Sequence, residues 1–141
     1  EYLSGTTKGS MIGVIVGIYN LNTIFDERYY DNLQGGLLEA FGRGFGNSVK
    51  IYVYPAINVD DGLMYDLSTI KLPKHLYSLL QFMIENGKLQ AINEYDKSLL
   101  HIMSDDVLSK IKMGSAIWEE DVPYEVAQAI KFFKLFGYKS K

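Results

Sequence analysis

The first strong pattern in the chain is an apolar segment at residues 11–17 that is rich in β-branched side chains. Such a segment is typical of a strand covered on both faces, as in a parallel sheet. The run ends in residues 17–23, where Gly17, Asn20 and Asn22 predict tight turns. Because ligands of open α/β sheets bind beyond the carboxyl ends of strands, we expect a ligand at this point of the chain.

Apolar positions then recur every three or four residues over residues 26–45, which predicts an amphipathic helix. Its stripe consists of Tyr30, Leu33, Leu37, Leu38, Phe41 and Phe45. The pair Gly35 and Gly36 lies inside this helix and costs about 1 kcal/mol per glycine relative to alanine, so we expect a kink or close packing there. Residues 48–56 alternate and predict a second strand closed by Pro55. Strand, helix and strand at this spacing predict a right-handed βαβ unit.

The middle of the chain carries weaker signals. Asp60, Asp61 and Gly62 predict a turn, and residues 63–70 predict either a short edge strand or a loop. The two adjacent aspartates raise the alternative of a metal site beside that of a solvated turn. A helix is predicted to begin at Pro73, which suits a first-turn position, and to stop near residues 86–87; residues 89–92 then predict a short strand.

Two further helices are predicted in the last third. The first lies within residues 96–113, with Ser104 and the following aspartates at its start and Gly114 at its end. Its inward positions are Val107, Leu108 and Ile111. The second follows Pro123, and the acidic residues 119–121 are expected at its start, where the helix dipole favours carboxylates. Its inward positions are Val126, Ile130, Phe133 and Leu135.

Together these elements predict a small three-layer Rossmann-like α/β domain with a mostly parallel sheet of three to four strands and a helical C-terminus. The 141 residues, 48% of them hydrophobic, suit one domain, predicted over residues 11–138. Residues 1–10 are interpreted as a linker or expression residues, with a phosphate-binding loop as the alternative, and residues 139–141 as a basic tail.

Composition narrows the classes of function. A net charge of −3 without a dense basic cluster argues against a nucleic-acid surface. The absence of cysteine excludes disulfides and fits a cytoplasmic location. The longest apolar run is far below the roughly 20 residues that cross a bilayer, so no membrane is expected. His75 and His101 lie far apart and lack a partner at helical metal-ligand spacing, so no metal site is expected.

A series of residues at characteristic spacing runs through the carboxy-terminal third: Ile102, Ser104, Val107, Ile111, Gly114, Val122, Pro123, Val126, Ile130, Leu135 and Phe136. This series resembles the end of nucleotidylyltransferases of the nicotinate or nicotinamide mononucleotide adenylyltransferase type. There the sequence reads Ile-Ser-Ser-Thr-x-Ile-Arg-x-x-Ile-x-x-Gly, then Val-Pro-x-x-Val-x-x-Tyr-Ile, then Leu-Tyr. Gly17, Tyr19, Asn20 and Thr23 are similar to that family's first loop, and residues 54–56 to a strand that ends in Pro-Ala.

The chain departs from this family at the groups that contact phosphate. The family's Gly-His pair falls on Phe25 and Asp26, its arginine on Leu108, and its second serine and threonine on Met103 and Asp105. Loss of one donor to the developing charge typically costs about 2.7–4 kcal/mol of transition-state stabilisation. The resemblance therefore implies a shortened, degenerate member, or part of a larger protein whose other segments complete the site.

Two functions stay open. The resemblance implies a nucleotide-binding, nucleotidylyltransferase-like domain, an adenylyl- or cytidylyltransferase if active, with ATP or a mononucleotide as candidate ligand and no catalytic residue identified. Its expected ligand contacts are Gly17, Asn20, Asn22, Thr23, Ser104 and Lys110. The alternative is a non-catalytic domain that binds a protein partner or a second copy through an aromatic-rich surface, since aromatic residues make up 13% of the chain. Ordinary core packing is the other reading of those aromatic residues.

Overall fold

The computed structural model of the chain describes residues 10–46, 49–58 and 60–139. These residues form two compact units, unit 1 ending at Asp96 and unit 2 beginning at Lys97. The predicted linker lies outside the described residues except for Ser10, as does the predicted basic tail except for Lys139. Ser48, the predicted start of the second strand, also lies outside them. The prediction of one domain over residues 11–138 stays a prediction.

Unit 1 contains a three-stranded parallel sheet and a two-stranded antiparallel pair. The strands are β1 (Ile12–Gly17), β2 (Val49–Tyr54), β3 (Ala56–Ile57), β4 (Met64–Tyr65) and β5 (Leu89–Ala91). β2 lies between β1 and β5, parallel to both, and the register sets Gly17 of β1 opposite Tyr54 of β2. β3 and β4 form a hairpin around Gly62, whose N–H donates to the Asn58 carbonyl at 2.8 Å. The predicted strands and the turn at residues 60–62 are thus confirmed.

Five α-helices lie within the described ranges: α1 (Ile18–Ile24), α2 (Gly36–Gly44), α3 (Tyr77–Glu85), α4 (Ser104–Lys112) and α5 (Tyr124–Phe133). Short 3₁₀ turns cover Glu27–Tyr30, Lys74–Leu76, Lys97–Leu99, Ile117–Asp121 and Leu135–Gly137. The chain is therefore an α/β protein with a parallel sheet and a helical C-terminal unit, which confirms the predicted class. The predicted ends of α3 and α4 are also confirmed, since Gly87 and Gly114 take positive φ angles of 64° and 70° that suit glycine after a helix.

The tight turns predicted after β1 are wrong, because the chain enters α1 directly at Ile18. Gly17 stays extended, with φ −69° and ψ 150°, and the helix begins after it. Ile18, Leu21 and Phe25 recur at helical spacing and are 2%, 0% and 1% exposed. Their burial selects the helix and turns Asn20, Asn22 and Thr23 to solvent.

The helix predicted over residues 26–45 is wrong in its first half. A 3₁₀ turn occupies Glu27–Tyr30, capped by the Asp26 carboxylate, which accepts from the Arg28 N–H at 3.1 Å. The α-helix begins only at Gly36, whose φ of 53° is disfavoured for residues with a side chain. The glycine pair therefore interrupts the helix, where the sequence predicted a kink or close packing.

Burial in the sheet follows alternate positions, so its two faces differ. Ile51, Val53 and Leu89 point to one face and are buried, whereas Ile15 points to the other and is 69% exposed. On this open face the Tyr52 ring lies over Gly13, where a Cβ would come within 3.1 Å of the ring. The expectation that β1 would be covered on both faces is therefore not met.

The core of unit 2 forms around Trp118, which is 1% exposed. The residues buried with it are Val107, Ile111, Ala127 and Ile130, with Ile102, Val122 and Tyr138 packed against them. Val107, Ile111 and Ile130 are inward as predicted, and Leu108 is half-buried. Three other residues were predicted inward but are exposed: Val126, Phe133 and Leu135. The reason is that α5 turns Ala127 and Ile130 toward the core.

A short loop after β4 is ordered by the Asp66 carboxylate. Its Oδ1 accepts from the Ser68 hydroxyl at 2.6 Å, the Ser68 N–H at 2.8 Å and the Thr69 N–H at 3.2 Å. The hydrogen bond from the Ser68 hydroxyl, with those from the Ser68 and Thr69 backbones, holds the pKa of Asp66 below its ordinary value of 3.8. The ionised form is therefore the one that the folded loop favours.

We expect Trp118→Ala to lower the free energy of unfolding by about 3–5 kcal/mol, because it empties the centre of a closed core. Urea denaturation followed by far-ultraviolet circular dichroism measures the loss. Tyr124→Ala is the matched control, since Tyr124 is 72% exposed and its removal should change stability by no more than about 0.5 kcal/mol. Equal effects of the two substitutions would contradict the assignment of the core.

We expect Asp66→Ala to lower stability by on the order of 1 kcal/mol near neutral pH, and by less on acidification. The folded pKa lies below 3.8, so the stabilisation is complete above that pH and is lost as pH falls through the folded pKa. Urea denaturation from pH 7 to below pH 3.8 follows the difference between wild type and variant. Asp60→Ala is the control, because the Asp60 carboxylate accepts no hydrogen bond among the described residues. A pH-independent difference would contradict the interpretation.

Candidate functional site

The contacts predicted in unit 1 lie where β1 meets α1. Gly17 is the last residue of β1 and the cap of α1, and it contributes no side chain to either element. Asn20, Asn22 and Thr23 lie on the exposed side of α1. The structure thus brings these predicted residues together on one short element, as a helix face in place of the predicted loop.

Asn22 lines a pocket of 390 Å³ that the sequence did not predict. Its other walls include Phe25, Arg28, Lys71 and Pro73. Arg28 is occupied by Asp26, with Nη2 2.6 Å from Oδ2, and the hydrogen bonds from this guanidinium hold the pKa of Asp26 below its ordinary range. Lys71 takes part in no ion pair within the described ranges, so it is the available cation of this pocket.

Tyrosines gather beyond the carboxyl ends of β1 and β2. The rings of Tyr19 and Tyr65 stack with centroids 5.7 Å apart, and those of Tyr54 and Tyr95 meet edge to face at 6.1 Å. The pKa of Tyr19 is raised, mainly because burial disfavours its charged form. Electrostatic repulsion from Tyr65 and from the carboxylates of residues 60–61 adds to this effect. The Tyr19 hydroxyl is therefore a neutral hydrogen-bonding group at physiological pH.

A second small pocket, of 260 Å³, lies beyond the ends of β2 and β5. It is lined by Asp66, Ser68, Asn93 and Tyr95 together with apolar residues such as Val53. The sequence carried a signal for this polar group, since Asp followed two and three residues later by Ser and Thr is typical of an Asx turn. That signal indicates a turn. The Asp66 carboxylate accepts hydrogen bonds from Ser68 and Thr69, so its role is to order the loop.

The contacts predicted in unit 2 lie on α4. Ser104 is its first residue and is exposed, so Ser104 and the following aspartates lie at the start of the helix as predicted. The cap position itself is Met103, which makes no side-chain hydrogen bond. Asp105 and Asp106 fill the first turn with negative charge. Carboxylates there satisfy the helix dipole and repel a phosphate. Lys110 is held by Asp121, with Nζ 2.6 Å from Oδ2.

The acidic residues 119–121 do not begin α5 as predicted, because they form their own 3₁₀ turn before it. Glu119 pairs with Lys131 of α5, and Asp121 pairs with Lys110 of α4. These carboxylates tie the turn to both helices. The sequence could not give these pairs, because the partners lie 11 and 12 positions apart.

An apolar groove of 570 Å³ is the main concave feature of unit 2. Its walls come from α4 and α5 and from Phe136 beyond α5; they include Val107, Leu108, Ile111, Val126, Ile130 and Phe136. Its polar lining consists of Ser104, Asp105 and Asp121. Large apolar side chains remain exposed in the same unit: Met113, Ile117, Tyr124, Phe132, Phe133 and Phe136. Unit 2 therefore exposes several large apolar side chains besides those of the groove.

Over the described residues, no three His, Cys, Asp or Glu side chains come together in a way that could hold a metal ion. Within the same ranges, no helix combines the length and the apolar character needed to span a bilayer.

Comparison of the chain with protein-family models, with curated proteins and with solved structures finds no match. The resemblance to nucleotidylyltransferases therefore stays a prediction.

Proposed function

We propose that this chain is a non-catalytic protein-interaction domain whose binding surface is the groove of unit 2. The observation that carries the proposal is the groove itself, whose walls are aliphatic and aromatic side chains of α4 and α5. Its volume of 570 Å³ lies within the range of about 300–1,000 Å³ that is usual for binding sites. Apolar grooves between two helices bind the apolar face of a third helix through side chains at helical spacing.

The polar groups of the groove are suited to binding rather than to phosphoryl or adenylyl transfer. Such chemistry needs cations and N–H donors directed at phosphate oxygens. Asp105 presents negative charge instead, and Lys110 is neutralised by Asp121. A ligand of this groove is therefore apolar, with neutral or basic groups at its margins.

We expect the immobilised chain to enrich helical peptides from a display library, with apolar residues at positions i, i+3 or i+4, and i+7. Val126→Glu should abolish their binding, because it introduces a charge into the apolar wall of the groove. Biolayer interferometry with the enriched peptides measures the loss, which should be at least tenfold in affinity.

Tyr124→Glu provides the control for that selection. Tyr124 lies on the same helix, is 72% exposed and does not line the groove. Peptides that bind wild type and both variants equally would contradict the proposal, as would a selection that enriches no groove-dependent sequence.

A nucleotide-binding function is the second candidate, supported by the pocket of unit 1 that contains Asn22. That pocket combines the amide of Asn22 with the unpaired cation Lys71, which suits the phosphate of a mononucleotide. Two carboxylates also line it; Asp26 is paired with Arg28, and Glu27 Oε2 lies 2.8 Å from His75 Nε2. This proposal retains Gly17, Asn20, Asn22 and Thr23 as neighbouring contacts.

If unit 1 binds a nucleotide, millimolar ATP or mononucleotide should raise the melting temperature of the chain, since a ligand of the native state stabilises it. Lys71→Ala should remove most of the increase, whereas Lys50→Ala, on the open face of the sheet, should leave it unchanged. A flat titration of wild type by differential scanning fluorimetry would dismiss this candidate and leave the groove proposal standing.

A further inference from the structure

We propose that the groove of unit 2 binds the end of α5 from a second copy of the chain, so that this unit mediates reciprocal self-association. The inference rests on the proposed function and names the occupant of that same groove.

The donor is the aromatic end of α5. Phe132 and Phe133 are 80% and 66% exposed, and their rings meet edge to face at 4.8 Å. The helix stops directly after them, because Lys134 adopts a left-handed conformation with φ 51°. The two rings therefore project at a helix end, with a cation beside them that has no ion pair within the described ranges.

The acceptor has the opposite charge. Asp105 lines the groove, is exposed and forms no ion pair within the described ranges, while Asp121 is neutralised by Lys110. Among the residues that the structure describes, no basic side chain lines the groove. An apolar segment that ends in lysine is therefore complementary to the groove in both polarity and charge.

Donor and acceptor are continuous along one helix. Val126 and Ile130 form part of the groove wall, and Phe133 follows them at helical spacing. Because each copy carries both surfaces on unit 2, two copies can exchange donors reciprocally, and such an exchange closes a two-fold dimer.

The apolar area available is that of a weak dimer. Four exposed phenylalanine rings, two from each copy, bring on the order of 600 Å² of apolar surface at about 150 Å² per ring. The walls that receive them add less, because Val107, Ile111 and Ile130 are already buried. Interfaces below about 1,200 Å² are typical of weak, transient association.

Sedimentation velocity of the full chain, from micromolar to millimolar concentration, tests the inference. Wild type should pass from monomer to dimer in this range. Phe132→Glu should raise the dimer dissociation constant at least tenfold, and Val126→Glu should do the same by blocking the groove. Tyr124→Glu should leave the constant unchanged. Circular dichroism confirms that each variant is folded.

Mixing the two defective variants provides a sharper test. The F132E chain keeps its groove and the V126E chain keeps its donor, so an equimolar mixture should regain one of the two contacts and form heterodimers. Asp105→Lys and Lys134→Glu should each weaken the dimer, and the double variant should recover it.

Wild type that stays monomeric at millimolar concentration would overturn the inference, as would equal effects of F132E and Y124E or a mixture that does not associate. Selected helical peptides that still bind the groove would then leave the proposed function standing, with another protein as the occupant. Failure of both experiments would remove both proposals.

Discussion

The buried cluster around Trp118 fixes which side of α5 faces the core, and the character of unit 2 depends on it. Trp118 is 1% exposed and lies in one cluster with Ala127 and Ile130 of α5. A helix that packs these two residues closely into the core turns Val126 and Phe133 outward. The same helix thus closes the core on one side and leaves exposed apolar side chains on another.

The spacing of hydrophobic residues predicted the parallel strands, and the glycines predicted where two helices end, because these features depend on nearby residues. The predictions failed where packing against residues distant in sequence decided the local structure. The segment 17–23 carries enough asparagine and glycine to predict turns, yet Ile18, Leu21 and Phe25 draw it into a helix. In the last helix, a stripe through Val126 competes with one through Ala127, and the fold buries Ala127 in the cluster that contains Trp118.

An ion pair occupies the cation that the sequence offered for phosphate. In unit 2, Lys110 of α4 is neutralised by Asp121 of the turn between α4 and α5, and Lys131 of α5 is neutralised by Glu119 of the same turn. These pairs are partly exposed, so each contributes modestly to stability. Their larger effect is to remove positive charge from the surface. The sequence predicted that Ser104 and Lys110 lie on one helix, but it could not predict the pairing of Lys110 with Asp121, because that pair depends on the fold.

The open face of the parallel sheet carries the exposed Ile15, but it also carries a charged residue that disfavours stacking of a second sheet. Lys50 lies on the central strand, with Nζ 5.3 Å from the centre of the Tyr52 ring, and the next strand presents the exposed Gln90. Dry stacking of one sheet on another would strip water from that ammonium group, which is costly. On this face of unit 1, Lys50 therefore opposes the stacking of a second sheet.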